Sequence, residues 1–385
     1  MSPFATDAKP RVLALSYPAY TSEEYLADFK SKYDFHVLKS PGRAGAIPEI
    51  AELVACKGPF DAVMVRMGTL PFEPFDEKLL GPLAPHCKII ASGSAGYNEF
   101  DVDWMTRSKI WFCNTRNAVS EATADMSMFL ILAVLKNATV AERSAREGRW
   151  KDGLVPTKDP RGLTLGIVGM GSIGKVGIWT FFLLWLIFVV GYERPPLFRE
   201  SILYHVMAAM ATNRAYIFSP PPIILGHLAR KALAFNLKIK YYNRTRLPAD
   251  VEAQYSATYC ASLDELLSVS DIVSINCPLN AATTGLIGRK EFGKMKDGVF
   301  FINTARGMIV DEGALIDALE SGKVKMAGLD VFPNEPEIND KVIIQPHLGG
   351  LTDGAFNLSE MECFENIKAC LSTGAPLAPV NFVER

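Results

Sequence analysis

The sequence predicts an α/β protein of two domains, each built on a parallel sheet with helices on both faces. Three observations predict this class: short apolar runs recur between turn signals, helical stretches separate many of them, and one run leads directly into a glycine-rich turn. Short apolar runs bounded by turns are typical of strands buried on both faces. A chain of 385 residues is also longer than one average domain, so two domains are expected.

The first series of strands lies in the N-terminal third of the chain. The predicted strands are 11–16, 60–65, 88–92 and 110–114. Helical segments separate some of them, as at 48–55. Alternating strands and helices of this kind predict a parallel sheet covered on both faces.

The second series begins after a long helix predicted over 120–137. It has six predicted strands, with further helices predicted at 262–268 and 311–321. The strands are 163–168, 238–242, 271–276, 298–303, 325–331 and 342–345. This alternation is typical of a doubly wound parallel sheet.

Composition and charge indicate which binding partners and which cellular compartment to expect for this chain. The net charge is −2 and no run of basic residues occurs, so no nucleic-acid partner is expected. The seven cysteines show no CxxC spacing and the five histidines form no metal-spaced pair, so neither a disulfide framework nor a metal site is expected. Together with an N-terminus that lacks an apolar signal segment, this predicts a cytoplasmic protein.

A glycine motif follows the predicted strand 163–168. Gly169, Gly171 and Gly174 form the pattern G-x-G-x-x-G, with Ser172 and Ile173 between the last two glycines. Such a turn lets backbone N–H groups and a helix N-terminus approach a pyrophosphate. The motif predicts a dinucleotide-binding domain of the Rossmann type, and an ordinary tight glycine turn is the alternative.

The segment after this motif interrupts the expected unit. The strand that follows a dinucleotide turn should end about 20 residues later, but here it ends near Asn243, 69 positions after Gly174. Removing 176–226 reduces that distance to 18 positions and makes 227–235 the expected helix. Residues 176–226 are therefore interpreted as an insertion.

Three interpretations of the insertion remain open: a membrane anchor, a looped-out element that binds a partner, and translated non-coding sequence such as a retained intron. The apolar run of 15 to 17 residues is at the lower limit for a membrane span, and both flanks belong to one βαβ unit. A membrane association is therefore disfavoured, and the third interpretation is favoured. Because the helix after Gly174 supplies N–H groups to the pyrophosphate, we expect the insertion to weaken cofactor binding.

The end of the next strand bears on the choice between NADP and NAD. Asn243 is followed by Arg244, Thr245 and Arg246, and none of these is a carboxylate. A carboxylate would repel a 2′-phosphate, whereas guanidinium groups and a hydroxyl would hold one. The sequence favours NADP and leaves NAD possible, the alternative being two solvated surface arginines.

Five stretches together resemble the D-isomer-specific 2-hydroxyacid dehydrogenases, of the glyoxylate and hydroxypyruvate reductase kind. They are GSAGY at 93–97, GMGSIG at 169–174, NTARG at 303–307, GLDVFPNEP at 328–336 and PHLGG at 346–350. The resemblance extends over nearly the whole chain outside the insertion. It implies an NADP(H)-dependent oxidoreductase that interconverts 2-oxo acids and D-2-hydroxy acids.

Three residues match the family's catalytic set, and each suits its chemistry. Arg306 follows a predicted strand, and its planar guanidinium fits a substrate carboxylate. His347 also follows a strand, and imidazole is a natural proton donor near neutral pH. Glu335 is the third residue, and a carboxylate beside His347 would raise the pKa of that histidine.

Further site residues are implied by the resemblance alone. Ala95 and Gly96 match the loop that binds the substrate carboxylate, and Arg66 and Gly68 are expected at the edge of the same cleft. The residues expected to line the cofactor are Pro278, Thr284 and Asp330. For each of them an ordinary turn or cap is the alternative.

The resemblance also implies the domain organisation. Residues 1–118 and 349–385 are expected to form a discontinuous, flavodoxin-like α/β substrate domain, and 119–348 the dinucleotide-binding domain, interrupted by 176–226. A homodimer and a small 2-oxo or 2-hydroxy acid substrate are expected. Glyoxylate, hydroxypyruvate and bulkier 2-oxo acids remain open, and a dinucleotide-binding sensor without turnover is the alternative function. Formate oxidation is disfavoured by Glu335, because the family's formate enzymes use a neutral amide there.

Overall fold

The computed structural model describes residues 9–68, 70–84, 86–170, 224–333 and 341–383. The chain divides into two compact units. The first comprises Met1–Ala122 and Leu348–Arg385, and the second comprises Thr123–His347. Residues 171–223 lie outside the described residues. They include 176–223, which is the larger part of the predicted insertion.

The first unit is built on a five-stranded parallel sheet. Its strands are β1 (Arg11–Ala14), β2 (Asp34–Val37), β3 (Ala62–Val65), β4 (Ile89–Ser92) and β5 (Trp111–Cys113). They lie in the order β2-β1-β3-β4-β5, which is the flavodoxin-like order. The prediction of a flavodoxin-like α/β domain is confirmed.

Helices cover both faces of this sheet. They are α1 (Glu23–Lys32), α2 (Arg43–Lys57), α3 (Glu77–Leu80), α4 (Val102–Arg107) and the C-terminal α12 (Asp353–Thr373), with short 3-10 helices at Leu70–Phe72 and Gly81–Leu83. Helix α12 packs Cys363, Phe364 and Ile367 against strand residues such as Val12 and Ala62, all of them buried. This apolar contact joins the C-terminal segment to the N-terminal sheet.

The second unit is built on a seven-stranded parallel sheet. The strands are β6 (Thr164–Val168), β7 (Lys238–Tyr242), β8 (Ala257–Tyr259), β9 (Ile272–Ile275), β10 (Val299–Asn303), β11 (Val324–Leu329) and β12 (Val342–Ile344). Their order is β12-β11-β10-β9-β6-β7-β8. The order reverses between β6 and β9, as in a Rossmann-type sheet, and the predicted doubly wound fold is confirmed.

The helices associated with the second unit are α5 (Ser120–Lys136), which begins at the boundary between the units, α6 (Ala138–Arg146), α7 (Ile224–Ala234), α8 (Ala249–Gln254), α9 (Leu263–Val269), α10 (Arg289–Lys294) and α11 (Glu312–Glu320), with a 3-10 helix at Gly307–Ile309. Two of them start at capping side chains. The Ser262 hydroxyl accepts the Glu265 N–H of α9, and the Asp311 carboxylate accepts the Ala314 N–H of α11. Each cap satisfies a backbone donor that the helix cannot pair.

The structure differs from the predicted elements at two edge strands. The sequence pattern misses β2 and β8, so the described part of the second sheet has seven strands where six were predicted. Both strands lie at the edge of a sheet. The residues of β2 are half-buried, so it lacks the continuous apolar run of a central strand. Helix α7 begins at Ile224, three residues before the predicted start at 227.

Within the described ranges, no single helix is long and apolar enough to span a membrane. Helices α5 and α6 together meet that test by length and composition, but they are bent by 63° at the break between them. All seven cysteines are free, and Cys56 is exposed whereas the other six are buried.

Candidate active site

The glycine turn lies where the order of the second sheet reverses. Gly169 follows β6 with φ of +90°, and a Cβ there would come within 2.6 Å of the Cys277 Cβ beyond β9. Its N–H donates to the Tyr242 carbonyl, and the Met170 N–H donates to the Asn243 side-chain oxygen. Only glycine fits a backbone so close to its neighbour. The turn is therefore held against the ends of β7 and β9, at the position where such sheets bind nucleotides.

The remaining members of the glycine motif, Gly171, Ser172, Ile173 and Gly174, lie outside the described residues. Two other predicted cofactor residues are described. Pro278 is exposed and follows Cys277, so it lies next to the glycine turn. Thr284 is also exposed, and its hydroxyl donates to the Asn280 carbonyl at 2.9 Å.

The arginines after β7 have different surroundings. The Arg246 guanidinium donates to the Glu252 carboxylate at 2.9 and 2.8 Å, and the Tyr241 hydroxyl donates to the same carboxylate at 2.5 Å. These hydrogen bonds lower the pKa of Glu252, and the hydrogen bond from Arg246 has the larger effect. Arg244 and Thr245 are exposed. Arg246 is therefore paired with a carboxylate of its own unit, whereas the exposed Arg244 follows the end of β7.

Arg306 lies in a turn that a buried asparagine fixes. Asn303 ends β10, its side-chain oxygen accepts the Ala305 N–H, and its side-chain nitrogen donates to the Arg306 carbonyl, both at 3.0 Å. The next residue, Gly307, passes so close to the loop after β11 that a Cβ would lie 2.0 Å from the Phe332 carbonyl carbon. No side chain larger than hydrogen fits there. The turn therefore holds Arg306 close to the loop that follows β11.

Backbone hydrogen bonds connect the loops after β10, β11 and β12. The Asp330 N–H donates to the Asn303 carbonyl at 2.9 Å, and the His347 N–H donates to the Asp330 carbonyl at 2.9 Å. Asp330 is buried, and His347 is exposed with φ of +56°. Three predicted residues, Arg306, Asp330 and His347, therefore lie at adjacent strand ends of one sheet.

The pKa of His347 is lowered from its ordinary value of 6.5. The main cause is the loss of hydration next to surrounding protein atoms, and the second is the positive charge of Arg306. The sequence predicts an opposing effect from Glu335, which lies outside the described residues. The positive charge of Arg306 therefore disfavours protonation of the imidazole.

In the first unit, the two loops predicted to bind substrate lie side by side. The Gly93 N–H donates to the Val65 carbonyl, directly before Arg66, and a Cβ at Gly93 would lie 2.9 Å from the Met67 nitrogen. The half-buried Ala95 accepts a hydrogen bond at its carbonyl from the Asn114 side chain at 2.6 Å. These contacts fix the backbone of 66–68 next to that of 93–96.

Comparison with known proteins identifies the family. The family model of the D-isomer specific 2-hydroxyacid dehydrogenase, NAD binding domain, matches residues 128–184 and 224–349. The dehydrogenase efuE of Hormonema carpetanum is 48% identical over 391 residues, covering 100% of this chain and 85% of that protein. The chain belongs to this family. It is accordingly a D-2-hydroxyacid dehydrogenase in the family sense, an NAD(P)-dependent oxidoreductase.

Solved structures agree with the fold of this dehydrogenase. A glyoxylate reductase from Paecilomyes thermophila has a TM-score of 0.75 at 31% identity, covering 97% of this chain and 98% of that one. The D-mandelate dehydrogenase of Rhodotorula graminis has a TM-score of 0.77 at 28% identity, covering 98% and 99%. The family model leaves 185–223 unmatched, a segment inside the predicted insertion.

Several residues that shape the site of this dehydrogenase were not predicted from the sequence. They are Asn114, Glu252 and Cys277. Glu252 follows Arg246 by six positions, so the opposite charges gave a weak local signal. The other two act through contacts between segments distant in sequence, and no pattern in a single sequence marks them.

Proposed function

We propose that this dehydrogenase reduces 2-oxo acids to D-2-hydroxy acids, with NADPH as the preferred cofactor. The observation that carries the proposal is the cluster of Arg306, Asp330 and His347 at the ends of β10, β11 and β12. Backbone hydrogen bonds join His347 to Asp330 and Asp330 to Asn303, whose side chain donates to the Arg306 carbonyl. A cation and a titratable imidazole at neighbouring strand ends of one sheet are the two groups that such a reduction requires from the protein.

Arg306 and His347 of this cluster, with Glu335, have separate proposed roles. Arg306 binds the substrate carboxylate through its planar fork and polarises the adjacent ketone. His347 donates a proton to the oxygen of that ketone as negative charge develops there. Glu335 stabilises the protonated form of His347. The nicotinamide cofactor supplies the hydride when it is bound.

The glycine turn supports a dinucleotide site in this chain. Gly169 has no Cβ and a positive φ, and it lies at the switch point of a Rossmann-type sheet. A backbone of this shape suits the close approach of a pyrophosphate. We assign Pro278, Thr284 and Asp330 to the lining of the same site as a proposal.

The preference for NADP rests on Arg244. Because the Glu252 carboxylate already engages Arg246, we expect Arg244 to provide most of the attraction for a 2′-phosphate. Arg244→Ala is expected to weaken NADPH binding about tenfold or more and to leave NADH binding unchanged. Arg246→Ala is the matched control, because it removes a guanidinium that is bound within the protein. Equal losses for NADPH and NADH in Arg244→Ala would contradict the assignment.

The insertion 176–226 is proposed to impair cofactor binding. The motif Gly169–Gly174 and helix α7 are parts of one anion-binding unit in a normal dinucleotide fold, and here 50 or more residues separate Gly174 from most of that helix. The parent protein without this segment is then the fully active enzyme.

The chain is further proposed to be a cytoplasmic homodimer. Large apolar side chains on the second unit are exposed, with Phe129 at 51%, Trp150 at 70% and Val155 at 72%. Exposed apolar groups of this size favour a protein partner. The seven free cysteines fit a reducing compartment. Sedimentation analysis tests the dimer, and a monomer at micromolar concentration would contradict it.

The substrate is proposed to be a 2-oxo acid with one carboxylate. The solved relatives are named for glyoxylate and for mandelate, which differ greatly in side-chain size. A panel of 2-oxo acids with NADPH tests the reaction, and consumption of NADPH is the expected result. NADPH binding without consumption for every acid would favour the sensor alternative.

A further inference from the structure

An exposed tyrosine in the first unit has both its backbone and its ring held in place by contacts. Tyr20 is 40% exposed and lies in the loop after β1. Its N–H donates to the Glu360 carboxylate at 2.9 Å, and its carbonyl accepts from the Asn357 side chain at 2.7 Å. The neighbouring Thr21 hydroxyl also donates to Glu360 at 2.9 Å. Two side chains of α12 therefore fix the backbone on both sides of this residue.

The ring of Tyr20 is fixed as well. It stacks on the Phe356 ring with centroids 4.6 Å apart and an interplanar angle of 11°. The Arg66 guanidinium lies 5.3 Å from the Tyr20 centroid and 4.9 Å from the Phe356 centroid. Stacked rings and an adjacent guanidinium attract each other. Tyr20 and Phe356 form a rigid pair, called here the aromatic wall.

A buried carboxylate supports this wall from behind. Glu360 is fully buried, and its Oε1 lies 3.1 Å from Nε of Arg66. The ion pair neutralises the Arg66 charge and holds the guanidinium next to the rings. Burying a carboxylate is costly unless it is paired and hydrogen-bonded. Here Glu360 has both, and the result is an ordered exposed ring.

The aromatic wall stands beside the predicted substrate loops. A Cβ at Gly68 would lie 3.9 Å from Cζ of Phe356. Phe356 packs in one apolar cluster with Met67, Ala95 and Val119. The surface next to the loops 66–68 and 93–96 is therefore apolar and aromatic. Arg66, a charged group that lies against both rings, is paired with Glu360.

We propose that the aromatic wall of Tyr20 and Phe356 binds the side chain of the substrate and selects 2-oxo acids with a branched apolar or aromatic side chain. This inference rests on the proposed function, because the loops beside the wall are substrate loops only if that function holds. An apolar side chain gains by leaving water against such a surface. Glyoxylate has no side chain, and the hydroxymethyl group of hydroxypyruvate would lose hydration there.

The test compares substrates in the full chain. The ratio of kcat/KM for 4-methyl-2-oxopentanoate to that for glyoxylate is measured in the wild type, Tyr20→Ala, Tyr20→Phe and Tyr17→Ala. The wild type is expected to favour the bulkier acid, and Tyr20→Ala to lower the ratio about tenfold or more. Tyr17 is the matched control, because it is 51% exposed in the same loop and its ring lies near Lys30.

Each outcome decides the inference. Tyr20→Phe keeps the ring and is expected to keep the ratio, so a loss there equal to that in Tyr20→Ala would assign the effect to the hydroxyl and overturn the proposal. A wild-type preference for glyoxylate, or an unchanged ratio in Tyr20→Ala, would also overturn it.

The inference and the proposed function fail separately. If no 2-oxo acid is reduced, the proposed function fails, and calorimetric titration with 4-methyl-2-oxopentanoate decides the binding claim. Weaker binding to Tyr20→Ala than to the wild type and Tyr17→Ala would support substrate binding by the aromatic wall. Equal binding to all three, or no binding to any, would reject it. Reduction of every acid with no dependence on Tyr20 would support the proposed function and reject a substrate-binding role for the aromatic wall.

Discussion

Deleting residues 176–226 is expected to strengthen NADPH binding at least tenfold, which corresponds to about 1.4 kcal/mol. The deletion joins Lys175 to His227 and places the end of the glycine motif directly before the helix residues of α7. Backbone N–H groups at the start of that helix would then point at the pyrophosphate. Titration of both chains with NADPH measures the difference.

The control for this deletion removes the glycine turn itself. Gly169→Val in the shortened chain places side-chain atoms where Cys277 already lies, with a Cβ 2.6 Å from the Cys277 Cβ. It should abolish the gain in affinity if the gain comes from the dinucleotide site. Equal NADPH affinities with and without 176–226 would show that the chain tolerates the insertion.

Replacing His347 by glutamine is expected to lower kcat for 2-oxo acid reduction by about 10²- to 10⁴-fold, the usual contribution of general acid catalysis. The side chain of glutamine keeps a hydrogen-bond donor but has no proton to give near neutral pH. NADPH affinity should change little. The matched control is His86→Gln, which alters an exposed histidine of the first unit. Equal activity of the two variants would reject His347 as the proton donor.

The pH dependence follows from the same assignment. Reduction needs the protonated imidazole, so the rate falls as pH rises through the pKa of His347. The loss of hydration next to surrounding protein atoms and the charge of Arg306 lower that pKa from 6.5, and a carboxylate at Glu335 would raise it. Glu335→Gln is therefore expected to move the falling limb of the profile to lower pH. A limb that stays in place would remove Glu335 from this role.

The fold was largely predictable, because central strands have a distinct sequence pattern. Strands such as β3, β9 and β10 are buried along their whole length and are mostly apolar in sequence. The edge strand β2 is only half-buried and does not show this apolar pattern. The starts of α9 and α11 were close to the predicted positions, because Ser262 and Asp311 are typical capping residues.

The candidate site was predictable only in part. Arg306 and His347 were recognised because each follows a strand, and the ends of parallel strands meet at one edge of a sheet. The engagement of Arg246 by Glu252 was not predicted, because it depends on how the loop after β7 turns back on α8. The pairing of Arg66 with Glu360 spans 294 positions, and it arises only when the C-terminal helix completes the first unit.

The most direct test of the central claim is the configuration of the product. The full chain and the 176–226 deletion are each incubated with NADPH and a 2-oxo acid, and the product is separated on a chiral column. The D-2-hydroxy acid is expected from both chains, with faster formation by the deletion variant and formation about 10²- to 10⁴-fold slower by its His347→Gln form. Formation of the L-isomer, or NADPH binding without any hydroxy acid from either chain, would contradict the central claim.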